Sequence, residues 1–404
     1  MVRIVSFGVG NRGGKYLQWV HEHPEEASIT AIVDPDSRRL SLAASKYALS
    51  ENQCFQSAEE FFASSAVADA AIIAAPDREH KPIAMECISR GWHILLEKPI
   101  ATSREDCFSI AAAAKKAGVY VSVCFILRLH PYWQKTREII SNPRFGRILS
   151  IHHEVNAGID RCVHTFVRGN WSRAEDSAPL ILSKCCHDMD LLLFLSGSTP
   201  RKTVSFGSLG WFRKENAPQG AASRCIDCKI EPDCPFSAVD LYRRRNLWNE
   251  NFPRMPYESV GDAVERELRE GRYGRCAYRC DNDVTDHQSV MMEMEDGAVV
   301  SMRMNFLTME DNRFTAINAS GGELRGDESR LFIRYFDSGE SITIDMSGQT
   351  PRHLHAGADH EIVHDFVSRI REGNFNSPTE ISEALPGHYA CFEAERFRLD
   401  GEQL

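Results

Sequence analysis

The stretch LLEKPIATSRED (95–106) sets Glu97 and Lys98 between an apolar run and a proline. Pro99 bars a helix from starting at once, so Lys98 stands at the end of a strand. A solvated strand end is the ordinary reading of such a lysine; the chemical reading is a cation held at a reaction site. A second set lies in SKCCHDMDLLLFLS (183–196), where Lys184, His187 and Asp190 share the i, i+3, i+6 face of one amphipathic helix. A satisfied core histidine is the ordinary reading there. The chemical one follows from proton affinity: histidine titrates near neutral pH unaided, and a lysine beside another cation, out of water, has its pKa lowered. Such groups next to a hydroxyl can take its proton or stabilise a developing alkoxide.

Two further clusters carry chemistry. HTFVRGNW (164–171) offers His164, Arg168, Asn170 and Trp171, hydrogen-bond donors and a flat apolar ring suited to sugar hydroxyls and ring faces; a surface loop accounts for it equally well. Cys225-x2-Cys228-x5-Cys234, with Cys276 and Cys280 in YGRCAYRC, has the C-x2-C knuckle that chelates a soft cation, and four thiolates close a tetrahedral zinc site. The segment 213–280 around them is rich in charge, Pro and Gly, and reads as an insertion with little core of its own, which a metal would fix. The expectation is structural zinc on Cys225, Cys228, Cys234 and one of Cys276 or Cys280, against free thiols or an iron–sulfur cluster.

The elements that must position these residues alternate. VRIVSFGVG, ASITAIVD, ADAAIIAAP, WHILLEKP and VYVSVCF are near-continuous apolar strands, each separated from the next by a helical stretch. That pattern predicts a doubly wound parallel sheet, covered on both faces and ending near residue 125. Between the first strand and helix, GVGNRG spells G-x-G-x-x-G with Gly8, Gly10 and Gly13. The first glycine permits a tight turn, the second lets backbone approach a pyrophosphate, and the third allows close helix–strand packing; the pyrophosphate then meets the helix N-terminus. Gly8, Gly10, Asn11, Arg12 and Gly13 are therefore candidate dinucleotide contacts. Asp34 ends the second strand, where an acid can bind the ribose diol and repel a 2′-phosphate, favouring NAD over NADP. Arg38 and Arg39 follow closely and temper that preference. Ligands of such sheets bind outside the carboxyl ends of the strands, so Lys98 and the strand end AAPDREH (74–80) both face the ligand groove.

A chain of 404 residues suggests two domains, 1–125 and 126–404. Its net charge of −10 argues against nucleic-acid partners, and no apolar run approaches the roughly 20 residues of a membrane span. Thirteen scattered cysteines and an N-terminus that enters a strand directly point to the cytoplasm rather than to a disulfide framework. In the second half, RILSIHHEVNAG, TVSFGSLGWF, QSVMMEMEDGAVVSMRMNF, FTAINAS and ESRLFIRYF are strand-like, with a hairpin signal at EDG (295–297).

GVGNRG, VDPD, AAPDREH, EKP and HDMD together resemble the Gfo/Idh/MocA family of sugar and polyol oxidoreductases over nearly the whole chain. The resemblance implies a Rossmann domain followed by an α/β domain with a large open, mainly antiparallel sheet that commonly builds homodimers or homotetramers. It implies cofactor contacts from Ala75, Pro76, His80, Glu97, Lys98 and Arg128, and it makes Lys98 and His187 the acid–base centre; this chain's own residues 183–190 add Lys184, tuning the centre or binding a hydroxyl, and Asp190, orienting His187 from the same helix. Family members typically place a carboxylate four residues before the histidine; Ser183 stands there instead. The implied activity is NAD-dependent oxidation of a secondary hydroxyl of a sugar, inositol or glycoside. Two alternatives differ in class: a redox-neutral glycoside-cleaving enzyme working through transient C3 oxidation and elimination, and a non-catalytic dinucleotide sensor.

Overall fold

Strands apolar on both faces build the first sheet of the computed structural model, which describes residues 1–252, 254–255, 258–348 and 357–401. These are β1 (Val2–Phe7), β2 (Ala27–Val33), β3 (Cys54–Phe55), β4 (Ala70–Ile73), β5 (His93–Leu96) and β6 (Val121–Val123). They pair in parallel in the order β3-β2-β1-β4-β5-β6. Every residue of β4 is buried, as a sheet covered on both sides requires. The order reverses at β1 and β4, and α1 (Asn11–Glu22) leaves the sheet at that point.

The second sheet joins β7 (Ile148–Asn156), β8 (Pro200–Ser208), β9 (His287–Met294), β10 (Val299–Asn305), β11 (Asn312–Ala319), β12 (Gly322–Gly326), β13 (Arg330–Tyr335) and β14 (Ser341–Asp345). Its order is β14-β13-β12-β11-β7-β10-β9-β8, antiparallel except where β7 and β10 run together. Here burial alternates: in β13, Leu331, Ile333 and Tyr335 turn inward while Phe332 turns out. The hairpin between β9 and β10 turns at Gly297, whose φ of +87° suits glycine.

The helix expected over 183–196 is broken. A single turn spans Leu180–Ser183, the chain kinks at Lys184 and Cys185, and α2 (Cys186–Ser196) begins only afterwards. The chain also returns to the first sheet at its far end. α3 (Ala358–Glu372) lays Ile362, Val363, Phe366 and Val367 into one core with Val2, Ile4, Tyr16 and Ile72, each large side chain contributing about 1.5–3 kcal/mol on burial. α4 (Ile381–Asp400) packs against α2 and β8. Residues 213–280 form mostly short turns plus a helix at Val260–Arg269, and dock on the segment 164–172.

Candidate active site

The glycine loop is closed by sterics. Gly8 has φ +93°, and a Cβ there would be driven into the Ala74 carbonyl oxygen; one at Gly13 would meet the Gly8 carbonyl oxygen. Only glycine fits at either place. Gly10 caps α1 in an extended conformation with no side-chain hydrogen bond, so the first-turn N–H groups at Asn11 and beyond face outward over a cradle that side chains would fill. A dinucleotide pyrophosphate fits this arrangement. Asp34 is almost fully buried, and its carboxylate accepts from the backbone of Val9 (3.0 Å) and Asp36 (3.0 Å), tying the loop to the end of β2. Arg39 reaches the same carboxylate at 3.5 Å, and Arg38 gives its backbone N–H to Asp36.

Several residues expected at the cofactor also brace the chain internally. Arg12 turns inward to Glu97 (2.7 Å), Asp359 (2.7 Å) and the Tyr16 hydroxyl (2.5 Å). Glu97 accepts from Arg12 and from Tyr16 (2.6 Å) on one oxygen, and from the Lys98 backbone (2.9 Å) on the other. Burial pushes its carboxyl up, but Arg12 and Lys98 outweigh that and hold it below the usual range. His80 places its ring nitrogens on the carbonyls of Pro99 (2.7 Å) and Ala75 (3.0 Å), locking the turn after Lys98 to the end of β4. Arg128 pairs with both oxygens of Asp190 at 2.7 Å and with the carbonyls of Pro378 and Glu383. Asp190 is thereby paired with Arg128 through both oxygens. These residues fix the backbone that presents Lys98.

Lys98 itself bridges the two halves: its Nζ donates to the Ser183 carbonyl at 2.7 Å, four residues before His187. The His187 ring stands edge-on to Phe125 at 5.6 Å, and Phe125 in turn meets His388, whose Nε2 accepts from the Ile100 backbone. Lys98 thus touches the turn that precedes the helix of His187, and His187 touches Phe125 just past β6. Lys184, outside α2 because of the kink, is buried with Arg161, Arg313, Asp311 and Asp188 around it. Burial, then the two guanidiniums, lower its pKa to about 8. Asp188, in the sequence between the expected site residues, receives Arg313 Nε at 2.5 Å and faces His153 at 3.3 Å; burial opposes ionisation, yet those partners hold it well below the carboxylate range. The alternation of HDMD was the only hint of this buried carboxylate.

Three of the four candidates in 164–171 serve the insertion. His164 is stacked between Trp248 (4.6 Å) and Tyr273 (4.9 Å), with Nδ1 3.0 Å from the Tyr242 hydroxyl, and burial lowers its pKa to about 4. Arg168 is fully buried, donating to the carbonyls of Arg275 (2.8 Å) and Phe236 (2.7 Å) and to Cys225 Sγ (3.6 Å). Asn170 accepts from Arg272 at 3.0 Å. Trp171 faces outward, at 39% exposure, beside Asp77 from the end of β4. In AAPDREH nothing but its place at a strand end marks Asp77.

Cys225, Cys228, Cys234 and Cys276 line one cavity of about 20 Å³. The zinc expectation is nevertheless not met: among the described residues, no three His, Cys, Asp or Glu side chains are placed to hold a metal ion. Cys225 Sγ instead accepts from the buried Arg168 guanidinium at 3.6 Å, which sets a cation against the cluster.

Residues 2–125 match the model of the family described as "Oxidoreductase family, NAD-binding Rossmann fold" (GFO_IDH_MocA). The chain is 23% identical over 313 residues to the protein YteT of Bacillus subtilis (strain 168), covering 74% of this chain and 70% of that one. It is 27% identical over 208 residues to the 2,7-anhydro-N-acetylneuraminate hydratase of Escherichia coli (strain K12), covering 51% and 53%. It is also 27% identical over 202 residues to an inositol 2-dehydrogenase of Corynebacterium glutamicum (strain R), covering 49% and 55%. The match spans about half the length of the latter two. A crystal structure of an oxidoreductase from Agrobacterium radiobacter in complex with NAD+, L-tartaric acid and magnesium superposes with a TM-score of 0.70 at 14% identity, covering 99% of this chain and 97% of that one. At that identity the likeness is one of fold.

Proposed function

Starting from a chain that belongs to the Gfo/Idh/MocA oxidoreductase family through its NAD-binding Rossmann domain, we propose that it exchanges a hydride between NAD and a secondary hydroxyl of a sugar, inositol or glycoside. The observation that carries the reading is Lys98: a cation at the carboxyl end of β5, next to the crevice where α1 leaves the sheet, with its Nζ already reaching across to Ser183 of the second domain. When bound, the nicotinamide supplies the hydride acceptor. Gly8, Gly10, Asn11 and Gly13 would hold its pyrophosphate, and Asp34 at the end of β2 favours NAD over NADP by repelling a 2′-phosphate.

The chain's own part is proton handling. Lys98 Nζ takes or shares the proton of the reacting hydroxyl, and His187 across the seam completes the acid–base pair. Lys184, with its pKa near 8, adds positive potential behind them and keeps developing alkoxide charge favourable. The similarity to a hydratase supports a second reading, in which the oxidation is transient and the cofactor ends unchanged. The outward face of the second sheet carries Met291, Val299, Phe314 and Phe332, all at least 36% exposed, which supports homodimers or homotetramers through that face. No described helix is long and apolar enough to cross a membrane, and a cytoplasmic enzyme acting on a small molecule completes the reading. The test is NADH formation with a panel of polyols and sugars beside p-nitrophenol release from p-nitrophenyl glycosides. NADH formation supports the first reading, glycoside cleavage without net NADH the second, and cofactor binding with neither defeats both.

A further inference from the structure

Asp77 is a carboxylate with no assigned work. It lies just past β4, and β4 pairs with β5, so it stands on the same sheet end as Lys98. Its Oδ2 is buried and has no hydrogen-bond partner. An orphaned carboxylate oxygen is costly and calls for an explanation. Around the group stand His80, Lys98 and Glu97, and the Trp171 indole N–H is directed at the carboxylate, leaving Oδ2 as the open acceptor among the described residues. Burial pushes the Asp77 carboxyl up, against the pull of His80 and Lys98.

The chemistry of these neighbours narrows what can bind. A carboxylate only accepts hydrogen bonds, through about four lone-pair directions. A cationic ligand would have to settle beside the Lys98 ammonium, which disfavours it. A neutral hydroxyl suits both groups: it donates to Asp77 and can accept from Lys98. The indole, beside the carboxylate to which its N–H is directed, adds a flat apolar surface of the kind on which the C–H face of a polyol ring rests. Trp171 is also held in place, because Arg272 bonds its neighbours on both sides: Asn170 Oδ1 (3.0 Å), the Gly169 carbonyl (2.7 Å) and Ser172 Oγ (3.1 Å). The loop carrying Trp171 is further tied to the β4 end by Arg78, which donates to the Glu175 carbonyl.

We propose that Asp77 anchors the substrate, its carboxylate accepting from a hydroxyl on the carbon next to the one oxidised while Trp171 carries the ring's apolar face. The substrate class is then a vicinal diol or a longer cyclic polyol rather than a lone secondary alcohol. This rests on the dehydrogenase reading and adds the group that selects within it.

The experiment compares wild type, Asp77→Asn and Asp77→Ala by calorimetric binding of myo-inositol in the presence of saturating NAD, and by NADH formation from trans-1,2-cyclohexanediol against cyclohexanol. Wild type should favour the diol in kcat/KM, and Asp77→Asn should erase that preference and weaken myo-inositol binding by about tenfold or more, the scale of one hydrogen bond to a charged group. NADH affinity and melting temperature should stay unchanged in Asp77→Asn. Weakened myo-inositol binding in the variant, without NADH formation by wild type, would keep Asp77 as the anchor and remove the dehydrogenase reading. Unaltered binding and an unaltered diol preference in both variants, or no binding of myo-inositol to wild type, would overturn the assignment.

Discussion

Replacing Arg128 by methionine should destabilise the protein strongly while leaving NADH affinity unchanged. Arg128 makes four hydrogen bonds, two to Asp190 at 2.7 Å and two to the carbonyls of Pro378 (2.6 Å) and Glu383 (3.0 Å). Its side chain is 6% exposed and that of Asp190 1%. Burial outweighs the guanidinium's attraction, so the Asp190 carboxyl is pushed up to about 6. Such a pair adds little net stability, but removing one partner strands the other in low dielectric, at a cost of about 3–5 kcal/mol. The double variant Arg128→Met, Asp190→Leu should recover most of that loss, because the two side chains then fill the space without charge. The pH dependence has a definite sign. With Asp190 at about 6 when folded and about 3.9 when unfolded, the folded state holds the proton more tightly. Stability is fully present below about pH 4 and falls as pH rises through 6, by roughly 3 kcal/mol at most. Asp190→Asn should remove that fall. Urea unfolding followed by tryptophan fluorescence at several pH values reads these effects. An Arg128→Met protein with an unchanged midpoint and weakened NADH binding would refute the reasoning and return Arg128 to the cofactor site.

Three further outcomes follow from named contacts. Lys184 has a folded pKa of about 8 against about 10.4 unfolded, so the unfolded chain binds more protons between those values and stability rises with pH by up to about 3 kcal/mol; Lys184→Met should lose that rise in urea midpoints measured at pH 7.5 and 10. Gly8→Ala forces both a φ of +93° and a collision with Ala74, the first alone costing about 1–2 kcal/mol; NADH titration should find no binding, and wild-type affinity would contradict the loop's geometry. Arg168→Met should loosen residues 213–280, seen as faster proteolytic cleavage there with NADH binding retained, since the Arg168 guanidinium bonds to Arg275, Cys225 and Phe236 of that insertion.

The first sheet was legible because its strands are mostly buried and rich in apolar residues, β4 throughout, and because Gly8 and Gly13 leave no choice of residue. The strands β12 and β14 escaped notice: GELRG and SITID are short and largely polar, and they are held by register with β11 and β13 rather than by their own pattern. Lys184, His187 and Asp190 share a face only on a continuous helix, and the kink at Lys184 and Cys185 breaks it. Periodicity assigns a face but not a partner. Arg128 finds Asp190 across 62 residues, and Arg168 finds Arg275 across 107; nothing local in the sequence encodes either. The cysteine spacing was legible as a cluster, and the four thiols do meet at one cavity, but the nearby guanidinium could be read only from burial.

The most direct measurement is the Lys98→Ala variant, assayed for NADH binding and for polyol-dependent NADH formation side by side. Turnover should fall by about 10²-fold or more, the usual contribution of a positioned acid–base group, while NADH binds as it does to the wild type. A variant that turns over at the wild-type rate would contradict the account at its centre.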